Sequence, residues 1–387
     1  MTTDLRRSFA TATGLLSVAM LAASAANYAL NVGLARLLDP AEFGDATLVV
    51  TLLLGLTAVG VALQMITARL VIGVRADSEA AVEIRTQLAR RAAAAGGALM
   101  VVTMGAAPLL QNLFRTGSAL PFVALAAGLP VYLVQSVDRG VLQGRLEFRP
   151  LAASFVAEAV VRLLGGLAMV AAGFGVTGAT VALSLSFVGS WAAMRRALPA
   201  RTRTRTASAT AALDRPALAE ASRATIVLLV GQIIVNNGDV VWAKQLLDPE
   251  TAGAYAAVAL VGRAVFFCSW AVANAAFPLA DADAAPTPAS RHTGDATGRS
   301  VLTMGVVVVG AMSAAAIGVI AALGDRIGPL LFGTDLAEVR GLFVPYAVAT
   351  GLFAVANLIA TVDVARGRVD TALAVLAGGI PVSYTHL

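Results

Sequence analysis

Charge is scarce in this sequence: Asp, Glu, Lys and Arg make up 13% of its 387 residues, against 58% hydrophobic, and the mean hydropathy reaches +0.81. A water-soluble domain of this length needs far more charge to cover its surface. Cysteine is scarcer still. With Cys268 alone no intrachain disulfide can form, and His292 and His386, the two histidines, cannot supply a zinc cluster or a Cys–His nucleophile. No metal site, no cofactor and no catalytic constellation are expected. Lysine is nearly absent: Lys244 stands beside 27 arginines. The basic residues do not interleave with aromatics as in a nucleic-acid groove, so no nucleic-acid partner is expected. The phosphate-cradling loop of Walker type is missing too, and with it ATP hydrolysis by the chain itself.

What is abundant is apolar sequence in continuous blocks rich in Ala, Leu and Gly. Blocks of about 20 residues cross the hydrocarbon of a bilayer as helix, and an unbroken apolar run lacks the alternation of a membrane barrel. The sequence predicts an all-α polytopic membrane protein with spans near 12–36, 44–72, 92–114, 119–141, 151–173, 176–196, 224–247, 253–280, 300–323 and 342–365, and an eleventh beginning near Thr371. Arg6-Arg7-Ser8-Phe9 imitates a twin-arginine signal, and the alanines around Ser24 a cleavage site. The apolar run nevertheless continues through Leu38, too long for a cleaved signal. With the N-terminus inside, 20 arginines fall in inner segments and four (Arg36, Arg115, Arg326, Arg340) in outer ones. The positive-inside bias therefore orients the chain.

An internal duplication organises these spans. Leu37-Leu38-Asp39-Pro40-Ala41-Glu42-Phe43-Gly44 follows the first, and Leu246-Leu247-Asp248-Pro249-Glu250-Thr251-Ala252-Gly253 follows the seventh. In both, Asp-Pro ends one helix and proline opens the next. Pro108-Leu109-Leu110 pairs with Pro329-Leu330-Leu331, and Gly144-Arg145-Leu146-Glu147 with Gly367-Arg368-Val369-Asp370, in the same order. Two six-helix bundles are expected, related by a pseudo-twofold along the membrane normal: residues 1–198, a basic cytoplasmic linker at 199–223, and an incomplete second bundle at 224–387. The linker's arginines suit either solvent or anionic headgroups.

Three stretches carry a family resemblance: Asn31 to Gly44 (NVGLARLLDPAEFG), Gly140 to Arg149 (GVLQGRLEFR), and Asn236 to Tyr255 with Asp239 inside the span. With these the chain resembles the polysaccharide-biosynthesis (oligosaccharide flippase) family of the multidrug/oligosaccharidyl-lipid/polysaccharide exporter superfamily. The resemblance implies twelve or more helices in two lobes and export of lipid-linked sugars across the inner membrane. It also implies a lipid-linked glycan as substrate, membrane lipids around it, and cell-envelope glycosyltransferases and a polymerase as partners. The chain departs from the family in stopping within the fifth helix of the second lobe. Val382-Ser383-Tyr384-Thr385-His386-Leu387 breaks the preceding apolar run, so residues 382–387 are expected to be non-native and the second bundle truncated.

Ionisable groups inside spans are costly and therefore candidates for function. Asp239 and Arg263 lie at similar depth on adjacent helices. They fit either a buried pair that fixes packing or a cavity pair that opens to receive a pyrophosphate or couple to an ion. Glu158 and Arg162, four apart in span five, are expected to neutralise each other along one face. Arg69 either snorkels at the inner end of span two or draws an anionic headgroup there. Lys244, near an outer helix end, can reach either water or the cavity. Asn27 and Asn236 occupy equivalent repeat positions and suit helix bridging or sugar binding.

A diphosphate-bearing substrate calls for a cationic cavity, which Arg263, Arg69, Arg162 and Lys244 could supply. The competing reading is an ion-coupled exporter of small molecules or drugs from the same superfamily, which calls for an acidic cavity. A membrane-embedded glycosyltransferase or polymerase would need a sizeable outer loop with a catalytic acid. The longest outer loop, near Gly324 to Gly341, is short for that.

Overall fold

A computed structural model describes residues 3–72, 79–198, 231, 234, 235, 237–284, 294–333 and 335–365, and contains no strand among them. Among the described residues ten α-helices follow one another: α1 (Thr3–Leu37), α2 (Pro40–Val71), α3 (Glu79–Phe114), α4 (Leu120–Gly144), α5 (Phe148–Met169), α6 (Gly175–Met194), α7 (237–246), α8 (Pro249–Ala284), α9 (Gly294–Leu323) and α10 (Phe343–Ala365). The linker at 199–223, the start of the seventh span, Asn236, the helix expected from Thr371 and residues 382–387 lie outside the described residues.

Six stretches of described helix are long and apolar enough to cross a bilayer, and one of them, Phe148–Ala197, is 50 residues long. That stretch is a hairpin. Gly173 (φ 88°) and Gly175 (φ 52°) reverse the chain between α5 and α6 in a backbone region that side chains disfavour. Helices crossing a membrane repeatedly leave no backbone group unsatisfied in hydrocarbon; the chain is a multi-pass membrane protein of all-α fold.

Helix ends differ from those expected. α3 begins at Glu79, 13 residues before the expected start, so Arg85, Arg90 and Arg91 belong to a helix and not to an inner loop. Likewise α4 runs through Arg139 to Gly144. Hydropathy registers the hydrocarbon boundary, whereas the helical hydrogen-bond ladder continues beyond it wherever no proline or glycine interrupts.

The Asp-Pro motifs cap helices in the same manner. Asp39 Oδ1 accepts the Glu42 N–H at 2.8 Å; Asp248 Oδ1 accepts those of Glu250 and Thr251, each at 3.1 Å. These are N-cap bonds at helices whose first residue is proline. Hydrogen bonds from the Thr251 side chain and backbone hold the Asp248 carboxyl below its ordinary range.

The contacts divide the chain into two units. The first comprises residues 1–38 and 52–222, the second 39–51 and 223–387, so the opening turns of α2 belong to the second. In the first unit α1 packs on α5, α5 on α6, α6 on α4 and α4 on α3. Gly140 and Gly144, one turn apart, let α4 lie directly on α2. A Cβ at Gly140 would stand 2.6 Å from Thr67 Cβ, and one at Gly144 2.5 Å from the Ala68 carbonyl oxygen. That is the small-residue spacing of close helix crossings in membranes. In the second unit α8, α9 and α10 pack mutually. Gly44 faces Gly253 so closely that a Cβ on the former would stand 3.3 Å from the latter's Cα, and a Cβ on Gly253 would collide with the Pro40 backbone. The glycines that end the two repeated motifs therefore touch.

Candidate functional site

Charge inside the first unit gathers around Glu158. It lies ten residues into α5, about 15 Å along the helix axis. Its Oε2 accepts Arg139 Nη2 of α4 at 2.7 Å, and its Oε1 accepts Arg162 Nη2 one turn along α5. Arg139 also donates to Ser154 (3.1 Å) and Ser190 (2.9 Å) and stands 4.0 Å from the centroid of the Phe155 ring, a cation–π distance. Arg162 reaches Asn27 Oδ1 of α1 at 3.1 Å and Ser186 Oγ of α6 at 3.4 Å. The expected Glu158–Arg162 pair is present with Asn27 attached to it. The expectation left out Arg139, which it counted among inner-segment arginines. Two guanidiniums share one carboxylate, and the remaining partners are neutral.

Next to Arg139 on α4, fully buried Asp138 pairs with Arg85 of α3 at 2.8 Å and accepts the Trp191 indole N–H of α6 at 3.2 Å. This pair ties three helices together, and sequence did not offer its members as site candidates.

The second unit centres on Asp239 of α7, 2% exposed. Arg263 Nη2 of α8 donates to its Oδ1 at 3.3 Å, the partnership expected from matched depth. Two further donors come from residues not offered as site candidates from sequence, Tyr255 having entered only as the end of a family-like stretch: Tyr255 of α8 at 3.1 Å and Tyr346 of α10 at 2.6 Å, both on Oδ2. A tyrosine in an apolar run carries no signal beyond packing until its hydroxyl finds a buried acid.

Lys244 does not reach water. It is 4% exposed and bonds Asp45 of α2 at 2.5 Å, beside the Gly44–Gly253 contact. An isolated buried ammonium is far costlier than a paired one, so the lysine turns to the nearest acid. Arg69, in the last turn of α2, is exposed. The proposed site residues are thus distributed: Glu158, Arg162 and Asn27 share one cluster, Asp239 and Arg263 a second, and Lys244 a third, while Arg69 stands apart at a helix end.

No curated protein sequence matches the chain. Among solved structures, the fold is similar to an inward-facing multidrug resistance MATE family transporter of the MOP superfamily, at 15% identity, 97% coverage of this chain and 98% of that one, with a TM-score of 0.70. It is also similar to lipid II flippase MurJ in an inward closed conformation, at 12% identity, with coverages of 95% and 86% and a TM-score of 0.67. A third similarity is to a MOP superfamily transporter from Pyrococcus furiosus, whose binding pocket is described as of reverse polarity; identity is 15%, coverages 95% and 84%, and the TM-score 0.58. At these identities the likeness establishes a shared fold. Residues 33–275 match the family described as polysaccharide biosynthesis protein; that stretch is more than half of the chain, and the protein belongs to this family.

Proposed function

We propose that the protein flips a lipid-linked oligosaccharide or polysaccharide precursor across the cytoplasmic membrane by alternating access, with its N-terminus in the cytoplasm. One observation favours this cargo over a cationic drug: the surplus guanidinium of the Arg139–Glu158–Arg162 cluster. Among the described residues two cations there share one anion, and the second unit's Asp239–Arg263 pair is balanced. A net positive charge deep in a membrane is stabilised by an anionic partner, and the phosphates that join a glycan to its carrier lipid provide one. An exporter of cations would be served by the opposite surplus. Arg162, the more exposed guanidinium with 15% side-chain accessibility against 8% for Arg139, is the one offered to the substrate. Asn27 and Asn236 suit the glycan, and exposed Arg69 the approach of the headgroup from the inner side. Arg263 and Lys244 are cations of the second unit, each paired with one acid. Glycosyltransferases that build the precursor and a polymerase that consumes it are the partners this role requires.

The test deletes the chromosomal gene and measures lipid-linked oligosaccharide on each membrane face. The expected result is accumulation on the cytoplasmic face with loss of surface polysaccharide, both restored by the gene. Arg162→Ala, which leaves Glu158 balanced by Arg139, is expected to restore transport at about one-tenth of the normal rate, as loss of one charge-assisted contact predicts. Unchanged glycolipid sidedness, with altered sensitivity to cationic compounds, would move the protein to the drug-exporter branch.

A further inference from the structure

We infer that Tyr255 and Tyr346 are positioning residues that hold the Asp239 carboxylate so that Arg263 can leave it for a diphosphate; this rests on the function proposed above. The four groups form an unequal set. Tyr346 donates to Asp239 at 2.6 Å and Tyr255 at 3.1 Å, whereas Arg263 does so at 3.3 Å. Charge-assisted O–H···O⁻ bonds are at full strength near the first of these distances, and N⁺–H···O⁻ bonds normally run shorter than the last. The carboxylate is well served and the guanidinium is not. Arg263 makes one long hydrogen bond to the acid where a bidentate fork is available to it; the Tyr346 hydroxyl also faces its guanidinium, and among the described residues its Nε is buried without a hydrogen-bond partner in a residue only 8% exposed.

The chemistry of the donors matters as much as their geometry. Phenol hydroxyls are neutral, so they satisfy the acid's lone pairs without cancelling the arginine's charge. When Arg263 turns to an incoming diphosphate, Asp239 keeps two hydrogen bonds. Without the tyrosines, the same acid would hold the arginine as its only strong donor. The rings are built to stay in place. Tyr255 and Tyr346 pack edge to face, 6.0 Å apart at 78°, and a Cβ at Gly262 would meet Tyr346 Cε1 at 2.5 Å. The residue before Arg263 thus leaves room for the ring that serves Asp239. Asp239, Tyr346 and Arg263 come from α7, α10 and α8, so three helices define the arrangement.

The experiment measures binding of farnesyl diphosphate, a short lipid diphosphate, to the full chain in nanodiscs. Arg263→Gln is expected to weaken binding about tenfold, and Tyr346→Phe by a similar factor, because Asp239 then recaptures the arginine. In the Arg263→Gln background, Tyr346→Phe should add nothing. Tyr255→Phe, which removes the longer bond, should weaken binding in the same direction by less, and it carries the test if Tyr346→Phe fails to fold. Additive losses in the double variant, or tyrosine variants that bind normally while Arg263→Gln does not, would overturn the inference and leave the flippase reading standing. Normal binding by Arg263→Gln would remove Arg263 from the site. The sidedness assay with Arg162→Ala, which touches none of these residues, separately decides the proposed function.

Discussion

Glu158 offers one oxygen to each of two arginines, so its removal and theirs have opposite consequences. Glu158→Gln leaves two guanidiniums buried side by side without a counter-charge, and breaking a buried ionic set in this way costs about 3–5 kcal/mol. Arg162→Gln leaves a balanced Arg139–Glu158 pair and should be much milder. The Glu158→Gln/Arg162→Gln double variant returns the cluster to a single surplus cation and is expected to regain part of the loss. Thermal unfolding in detergent checks the order; a double variant less stable than Glu158→Gln would contradict it. The cluster was half legible beforehand. Glu158 and Arg162 stand one helical turn apart in one apolar run, and that spacing can be read directly. Arg139 lies at the edge of its run, where hydropathy gives it to the inner loop, and its bond to Glu158 spans 19 residues. Tyr346 joins Asp239 across 107 residues, beyond the reach of any local pattern.

Between elements, glycine contacts set the tolerances. A side chain at Gly253 would run into the Pro40 backbone, which cannot swing aside as a side-chain tip can, whereas one at Gly44 meets its neighbours at 3.3 Å or more. Gly253→Ala should therefore destabilise the protein by about 1–3 kcal/mol, the usual cost of overpacking, and Gly44→Ala by clearly less. Detergent melting curves of the two variants test the ranking, and equal midpoints would refute it. The repeated motif was visible as sequence, and so was the helix-stopping role of its Asp-Pro. The role of its last glycine was not, because only folding brings the two copies together. Gly140 and Gly144 were quoted for a resemblance before their contact with α2 gave them a physical reason. The helices themselves were readable because uninterrupted apolar blocks have few alternatives in lipid. Their ends were not, since α3 carries Arg85, Arg90 and Arg91 within its helix.

For the whole molecule, the proposed orientation has an experimental signature. In a Cys268→Ser background, a cysteine replacing Asp335, between α9 and α10, should react with an impermeant thiol reagent added to intact cells. A cysteine replacing exposed Leu146, between α4 and α5, should react only after permeabilisation; the reverse pattern would invert the topology. The orientation matters because, on the proposed spans, the Arg139–Glu158–Arg162 cluster with its unbalanced guanidinium falls within the electric field of the bilayer. Carrying one elementary charge through that whole field changes its energy by about 2.3 kcal/mol per 100 mV. Any fraction of the field through which the cluster moves makes the empty protein electrogenic, with an inside-negative voltage pulling the surplus charge inward. A diphosphate joining glycan to lipid carries two negative charges, so the loaded cluster is left with one net negative charge, which the same voltage pushes outward. Voltage then acts on both the loaded step and the unloaded return, on charges of opposite sign.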